Sequence, residues 1–219
     1  MTIPKHLHTT IHTFCSDMWH GYLGAIADFI ATQPDVKAKI VIDRFHVAQN
    51  YRDDFDTLRK KEMRRLRKEL PETTYKDVTQ RMHWVLRHNH DNLNDDDKVR
   101  LRSLFQHTPV LHQAYTLREE LTAIFNMKLS LTEGRCRLEK WIAKVERSTL
   151  TCFDKFLKTL RNHLDEIANY FDKRASSGFV EGMNNKLKTI TRRSYGLKRI
   201  DSLFRRLWLD LNGYRLFIA

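Results

Sequence analysis

Residues that break secondary structure are scarce in this sequence, and so is cysteine. Among 219 residues there are 7 glycines, 4 prolines and 3 cysteines. This low content of glycine and proline excludes collagen-like and low-complexity chains and favours helical structure. The cysteines Cys15, Cys136 and Cys152 are far apart and include no CxxC pair. We therefore predict neither a disulfide framework nor a zinc module, as is usual in a reducing cytoplasm.

Long apolar runs are also missing, whereas positive charge is abundant. No stretch approaches the roughly 18 apolar residues that span a bilayer, and the opening residues, MTIPKHLHTT, contain no apolar signal core. We therefore expect a soluble, cytoplasmic protein without a membrane partner. Hydrophobic residues make up 41% of the chain, enough for one compact domain with a large elaboration. Lys and Arg number 39 against 27 Asp and Glu, and the net charge of +12 predicts a polyanionic partner.

The first forty-odd residues have the pattern of a strand, a helix and a second strand. Residues 8–16 and 38–42 are rich in β-branched residues, and each run is followed by an aspartate, Asp17 and Asp43. The intervening GYLGAIADFIATQ has apolar residues at helical spacing. Short connections of this kind predict parallel strands in an α/β sheet, where carboxylates at adjacent strand ends can share a cation. An aspartate at a strand end is also a common turn or cap residue.

After Asp43 the pattern is almost entirely helical. We predict a long basic helix near 45–69, helices near 73–89 and 95–107, and another that begins at Pro109. Apolar residues continue at helical spacing to residue 172, and we interpret these stripes as the core of a helical bundle.

Positive charge is concentrated in two segments. Residues 173–206 contain ten cations and two anions, and residues 59–68 contain seven cations and one anion. Glu181 lies within the first cluster, in the first turn of a predicted helix, where a carboxylate suits the helix dipole. A carboxylate on a cationic surface, followed by Asn184 and Asn185, is also typical of a metal ligand that faces a phosphate backbone. The basic helix at 59–68 can alternatively pair with acidic residues of the bundle.

Four segments, in order, resemble a known family: SDMWHGYLGAI, KIVIDRFHVAQ, LHQAYTLREELTAIF and SSGFVEGMNNKLKTITRRSYGL. They are similar to the catalytic region of bacterial insertion-sequence transposases of the ISL3 family. The resemblance covers nearly the whole chain and implies a DDE domain with a ribonuclease-H-like fold. It divides the chain into a partial ribonuclease-H-like α/β core at 1–48, an all-helical insertion at 49–172 and carboxyl-terminal helices at 173–219 that complete the core. By residue count the expected fold is predominantly α.

The resemblance also implies an acidic triad, which maps onto this sequence in two ways. In the first mapping, Asp17 is the second acidic residue, Glu181 is the last, and the leading aspartate is missing. In the second, Asp17 and Asp43 are the first two members and Glu181 is the third. We favour the first mapping because only one helix separates the two aspartates, whereas the family's usual core has a β-hairpin after the first acidic residue. In that mapping Asp43 flanks the site. The implied metal is Mg²⁺ or Mn²⁺, and the implied DNA contacts are Arg44, His46, Lys186, Lys188, Arg192 and Arg193.

The function implied by the resemblance is metal-dependent DNA cleavage and strand transfer during movement of an insertion sequence. The expected partners are the transposon ends and target DNA, in the bacterial nucleoid. Because transposition pairs two DNA ends, a second copy of the chain is a candidate partner through the helical insertion, whose Leu and Phe residues can alternatively all belong to the core. Full-length family members carry an amino-terminal zinc-binding and helix-turn-helix region, so we expect this sequence to correspond to a carboxyl-terminal catalytic portion. The alternative is a non-catalytic DNA-binding or regulatory remnant. Cleavage that requires a divalent cation distinguishes the two.

Overall fold

The computed structural model describes residues 4–195 and 199–217, with side chains to residue 215. Gly196 and Leu197, at the end of the last family-like segment, lie outside these ranges. The chain forms two compact units, Met1–Ala175 and Ser176–Ala219. Across the described ranges, no helix is both long enough and apolar enough to cross a membrane.

Helices make up most of both units, and a small parallel sheet lies near the beginning of the first. The sheet consists of β1 (Thr13–Ser16) and β2 (Lys39–Ile42). The helices of the first unit are α1 (His20–Thr32), α2 (Arg44–Glu69), α3 (Glu72–Thr79), α4 (Met82–Val85), α5 (Asp95–His107), α6 (Pro109–Asn126), α7 (Leu131–Glu146), α8 (Asp154–Asn162), α9 (Leu164–Ala168) and α10 (Tyr170–Lys173). The second unit contains α11 (Gly178–Arg193) and α12 (Ile200–Phe217).

The parallel pairing of β1 and β2 confirms the strand-helix-strand prediction. Thr13 pairs with Lys39 and Ser16 pairs with Ile42, and α1 forms the crossover. The first strand is shorter than predicted, because residues 5–10 form a 3₁₀ helix. The Thr10 hydroxyl donates to the Leu7 carbonyl at 2.8 Å. Such local hydrogen bonds compete with strand pairing, which is why β-branched residues alone do not extend β1.

Two predicted helical stretches are interrupted. The helix expected near 73–89 ends at Thr79, and Arg81 has a left-handed backbone with φ 62° before α4 begins. The turn allows Val78, Met82 and Val85 to be buried together, so that packing overrides helix propensity. The stretch 154–173 is likewise divided into α8, α9 and α10. The helices predicted near 45–69 and 95–107, and the start at Pro109, are confirmed.

The core of the first unit is built around α2, whose 26 residues extend over about 39 Å. Its buried residues include Val47, Tyr51, Phe55 and Leu58, which repeat every three or four positions along one face. The Tyr51 ring stacks on Phe153 with centroids 4.5 Å apart, and its hydroxyl donates to the Ala114 carbonyl at 2.6 Å. Burial raises the pKa of Tyr51, so that the hydroxyl remains a protonated donor. Hydrogen bonding and stacking thus fix the position of α2 in the bundle.

Gly134 on α7 provides a test of how α7 packs against α10. A Cβ atom at this position would overlap the ring of Phe171. We expect Gly134→Ala to lower the free energy of unfolding by about 1–3 kcal/mol because the ring must move within a packed core. Gly24→Ala on α1 is the matched control, since nothing lies near its Cβ position and alanine favours a helix by up to about 1 kcal/mol. Urea denaturation measures both. If the two substitutions changed the free energy of unfolding equally, α7 would not pack on α10 as the structure shows.

Candidate active site and nucleic-acid interface

Asp17 and Asp43 lie at the same edge of the sheet, directly after the last paired residues of β1 and β2. The Asp43 amide donates to the Ser16 carbonyl at 3.3 Å, which continues the strand pairing to the two aspartates. The carboxyl ends of neighbouring parallel strands, about 4.8 Å apart, therefore carry both residues. The structure brings these two predicted site residues together at the edge where α/β sheets place ligands.

The two aspartates have different environments. Asp43 is 3% exposed, and its Oδ1 accepts a hydrogen bond from the Phe45 amide at 2.9 Å, which caps α2. Asp17 is only half-buried, and its Oδ1 accepts from the Trp19 amide at 3.1 Å. A carboxylate that caps a helix offers less of its oxygen surface to a ligand than one at an open edge. The structure therefore distinguishes a buried cap from an accessible carboxylate.

Asp17 faces an open, polar cleft of about 400 Å³ between the edge of the sheet, the first turns of α2 and the end of α8. His46 lines the cleft one turn after the Asp43 cap, and Asn50 and Asp53 follow on the same face of α2. On the opposite wall lies His163, whose ring centroid is 5.7 Å from that of His20. The cleft thus combines two carboxylates with imidazole and amide groups, which suits a phosphate ester and its associated cation.

Several residues of this cleft are absent from the sequence-based prediction. Asn50 and Asp53 lie four and seven residues after His46, so helical spacing alone places them on its face. That signal was available in the sequence. His163 had no such signal, because it lies between α8 and α9 and reaches the cleft only through the tertiary fold.

The side chains present do not form a complete cation site by themselves. In the described ranges, no group of three or more His, Cys, Asp and Glu side chains is arranged to hold a metal ion. Hard divalent cations need several oxygen ligands, and Asp17 is the one carboxylate at the cleft that follows a strand. The donor chemistry of the cleft therefore fits a contribution to such a site, and further ligands are required.

Arg44 and His46 point into different regions of the first unit. His46 lines the Asp17 cleft. Arg44 donates to Asn126 Oδ1 at 2.9 Å, and its guanidinium lies 6.0 Å from the centroid of the Tyr170 ring. Although predicted together as DNA contacts, these neighbours are two positions apart on a helix and so point away from each other.

Glu181 belongs to the second unit, in the first turn of α11. Its side chain is exposed, and its Oε1 accepts a hydrogen bond from the Ser177 hydroxyl at 2.6 Å. The position agrees with the predicted helix, and the carboxylate lies where the helix dipole favours negative charge. Its exposure leaves this carboxylate able to reach a ligand.

The predicted DNA-contacting cations on α11 differ in their partners. Lys186 donates to Asp210 of α12 at 2.7 Å, and this hydrogen bond lowers the pKa of the Asp210 carboxyl. Lys188, Arg192 and Arg193 are exposed. The charge of Lys186 is therefore partly neutralised, whereas the other three side chains keep theirs available for phosphates.

The basic segment 59–68 is partly neutralised within its own helix. Arg59 and Lys60 both contact Asp56, at 2.7 and 2.8 Å. Arg65 pairs with the buried Glu62 at 2.8 Å and with Glu69. Three of the seven cations thus belong to ion pairs along α2, so the positive field of this segment is weaker than the sequence count implies.

Replacing Asp43 tests its role as a cap. We expect Asp43→Ala to lower the free energy of unfolding by about 1–2 kcal/mol, because the Phe45 amide loses its acceptor in a buried position. Asp43→Asn retains an acceptor oxygen, so we expect a smaller loss. Asp17→Asn serves as the control and should change stability by less than about 0.5 kcal/mol. Chemical denaturation of the three variants measures their free energies of unfolding, which we expect to fall in this order. If Asp43→Ala proved as stable as the parent, the carboxylate would not be a structural cap.

Comparisons with known proteins show which family this chain resembles. A family model described as "Transposase", for the ISL3 type of DDE transposases, matches residues 1–207. The transposase for insertion sequence element IS1001 of Bordetella parapertussis is 30% identical over 169 residues, which is 77% of this chain and 41% of that protein. The transposase for IS1557 of Mycobacterium tuberculosis is 27% identical over 132 residues, 60% of this chain and 29% of that protein.

The chain thus spans less than half the length of these curated relatives. No solved structure gives a significant match. The matched region includes both strands with their aspartates and the helix that carries Glu181.

Proposed function

The chain belongs to the ISL3 family of DDE transposases, and from this we propose that it forms the catalytic portion of an enzyme that cleaves and joins DNA strands. The observation that carries the proposal is the accessible Asp17 carboxylate at the end of β1, in a polar cleft at the carboxyl edge of a parallel sheet. A carboxylate in this position is suited to hold a hard cation against a phosphodiester.

In this proposal Asp17 and Glu181 are the second and last acidic residues of the triad. Asp43 is a positioning residue, because its buried carboxylate caps α2 and holds the Asp17 strand edge against the first turn of that helix. This mapping leaves the leading acidic ligand of the triad unassigned. When bound, Mg²⁺ or Mn²⁺ would supply electrostatic stabilisation of the phosphodiester displacement.

The other residues of the cleft position DNA. His46 and Asn50 offer hydrogen-bonding groups to a phosphate within reach of Asp17. The exposed Lys188, Arg192 and Arg193 of α11 bind the flanking backbone through charge, without reading its sequence.

The proposed division of the chain follows from the same assignment. Residues 1–48 form part of a ribonuclease-H-like core, residues 49–172 form a helical insertion, and residues 173–219 bring the last acidic residue. The β1-α1-β2 unit with a helical bundle after β2 supports this division. Because transposition pairs two DNA ends, we propose that two copies assemble on DNA in the nucleoid.

Cleavage assays test the catalytic assignment. Because this mapping lacks one acidic ligand, we expect only weak nicking of DNA in Mg²⁺ or Mn²⁺. We expect EDTA to abolish this activity, and Asp17→Asn or Glu181→Gln to reduce it further, by at least about 100-fold. Each substitution removes one carboxylate charge and keeps the side-chain shape. Asp35→Asn, at an exposed position outside the cleft, should retain full activity.

Binding measured in parallel distinguishes the non-catalytic alternative. Retained DNA binding without any cation-dependent cleavage, unchanged by Glu181→Gln, would show a DNA-binding remnant instead of an enzyme. Cleavage that survives both Asp17→Asn and Glu181→Gln would refute the assigned residues.

The salt dependence of binding tests the α11 surface. We expect Lys188→Gln to lower the slope of log K against log salt concentration by about 1, as for loss of one phosphate contact. Lys186→Gln is the matched control on the same helix. Its effect should be smaller, because Lys186 is already paired with Asp210. Fluorescence anisotropy with duplex DNA at several salt concentrations measures both slopes. Equal slopes for Lys188→Gln and the parent chain would remove Lys188 from the DNA interface.

A further inference from the structure

A second cavity in the first unit has a different chemical character from the Asp17 cleft. It has a volume of about 360 Å³ and lies between α2 and α6. We call it the arginine cavity, because its polar lining consists mainly of guanidinium groups and contains no carboxylate. The residues that matter here are Arg44, Phe45, Arg52, Arg87, Arg118 and Asn126.

Arg118 forms the fixed floor of this cavity. It is 6% exposed, its terminal nitrogens donate to the carbonyls of Leu86 and His88, and it pairs with Glu119. Its Nε is buried and has no hydrogen-bond partner among the residues that the structure describes. An unsatisfied cationic donor at such depth is costly, and the charge of an anion bound in the cavity would offset part of that cost.

The other three arginines carry uncompensated charge. Within the described part of the chain, no carboxylate lies within ion-pairing distance of Arg44, Arg52 or Arg87. Arg44 is held by the Asn126 side chain, whereas Arg87 is exposed at the rim. Four guanidinium groups around one concave site, with a single carboxylate behind them, are typical of phosphate recognition.

An aromatic surface accompanies the positive charge. Phe45 lines the cavity and is 48% exposed, although a phenylalanine is normally buried. The Arg52 guanidinium lies 5.6 Å from the centroid of its ring. An exposed ring beside arginines provides a stacking surface for a nucleobase next to its phosphate.

The arginine cavity is also connected with the Asp17 cleft along α2. A third cavity, of about 330 Å³, shares Phe45 and Arg52 with the arginine cavity. The same third cavity shares Gln49 and Asp53 with the Asp17 cleft. The three cavities therefore follow one another along α2, and the carboxylates of Asp53 and Asp56 also line the third.

We propose that the arginine cavity binds one unpaired nucleotide of DNA, with its phosphate on the arginines and its base against Phe45. A cavity of about 360 Å³ admits a single nucleotide and excludes a duplex. The inference depends on the proposed function only in that the ligand is DNA. It requires no catalysis, so it is tested in EDTA, where cleavage does not contribute.

The experiment compares two DNA probes on the full chain by fluorescence anisotropy. One probe is a duplex with a short 5′-phosphorylated single-stranded overhang that contains 2-aminopurine, and the other is the same duplex with blunt ends. We expect the overhang probe to bind more tightly. Phe45→Ala should weaken binding of that probe by roughly 5- to 100-fold and leave blunt-end binding unchanged. Arg87→Gln should weaken binding of the overhang probe by about tenfold.

Matched controls separate local from general effects. Trp84→Ala removes another exposed aromatic ring, and Arg137→Gln removes another exposed arginine, and neither residue lines the cavity. Both variants should bind the two probes as the parent chain does. Circular dichroism melts establish that Phe45→Ala and Arg87→Gln remain folded, which their exposed positions favour.

Two outcomes would overturn the proposal. The first is an equal effect of Phe45→Ala and Arg87→Gln on overhang and blunt probes, or no effect on either. The second is competition by free thymidine monophosphate as strong as that by the overhang strand, which would assign the cavity to a free nucleotide. These binding results do not depend on cleavage in the Asp17 cleft, because they are measured in EDTA.

Discussion

The hydrogen bond from the Phe45 amide to Asp43 Oδ1 links the two halves of the first unit. The backbone of Asp43 extends the pairing of β2 with β1, while its side chain begins α2. Because the cap is buried, water cannot replace the acceptor, and the helix must start at this residue. The direction of α2, and with it the bundle packed on Tyr51, follows from this one junction.

Both concave sites of the first unit depend on that direction. Successive residues at the start of α2 point to opposite sides, so that His46 and Asn50 line the Asp17 cleft while Phe45 and Arg52 line the arginine cavity. One side places the carboxylates of Asp17 and Asp53 among imidazole and amide groups. The other side places guanidinium groups beside an aromatic ring. The start of α2 thus separates two concave surfaces of different chemical character.

The sequence predicted more of the elements than of the site. The parallel pairing of β1 and β2 and the long helix α2 follow from strong local patterns, and the structure confirms them. The break at Arg81 had no such signal, because it is determined by the burial of Val78 and Met82 against neighbouring helices. Likewise, the ion pairs of Arg59, Lys60 and Arg65 within the 59–68 segment depend on helical geometry and rotamers, which a count of charges does not contain.

By itself, the sequence determined the family, the excess of positive charge and the two strand-end aspartates, because these depend on residue identity and short-range spacing. The tertiary structure decided that Asp17 is accessible and that Asp43 is a buried cap, since burial depends on chain segments distant in sequence. It also brought His163 to the Asp17 cleft and Arg87 and Arg118 to the arginine cavity. These three residues are far from α2 in the sequence, so no local pattern predicts that they lie beside it. Only the packing of the helices places them there.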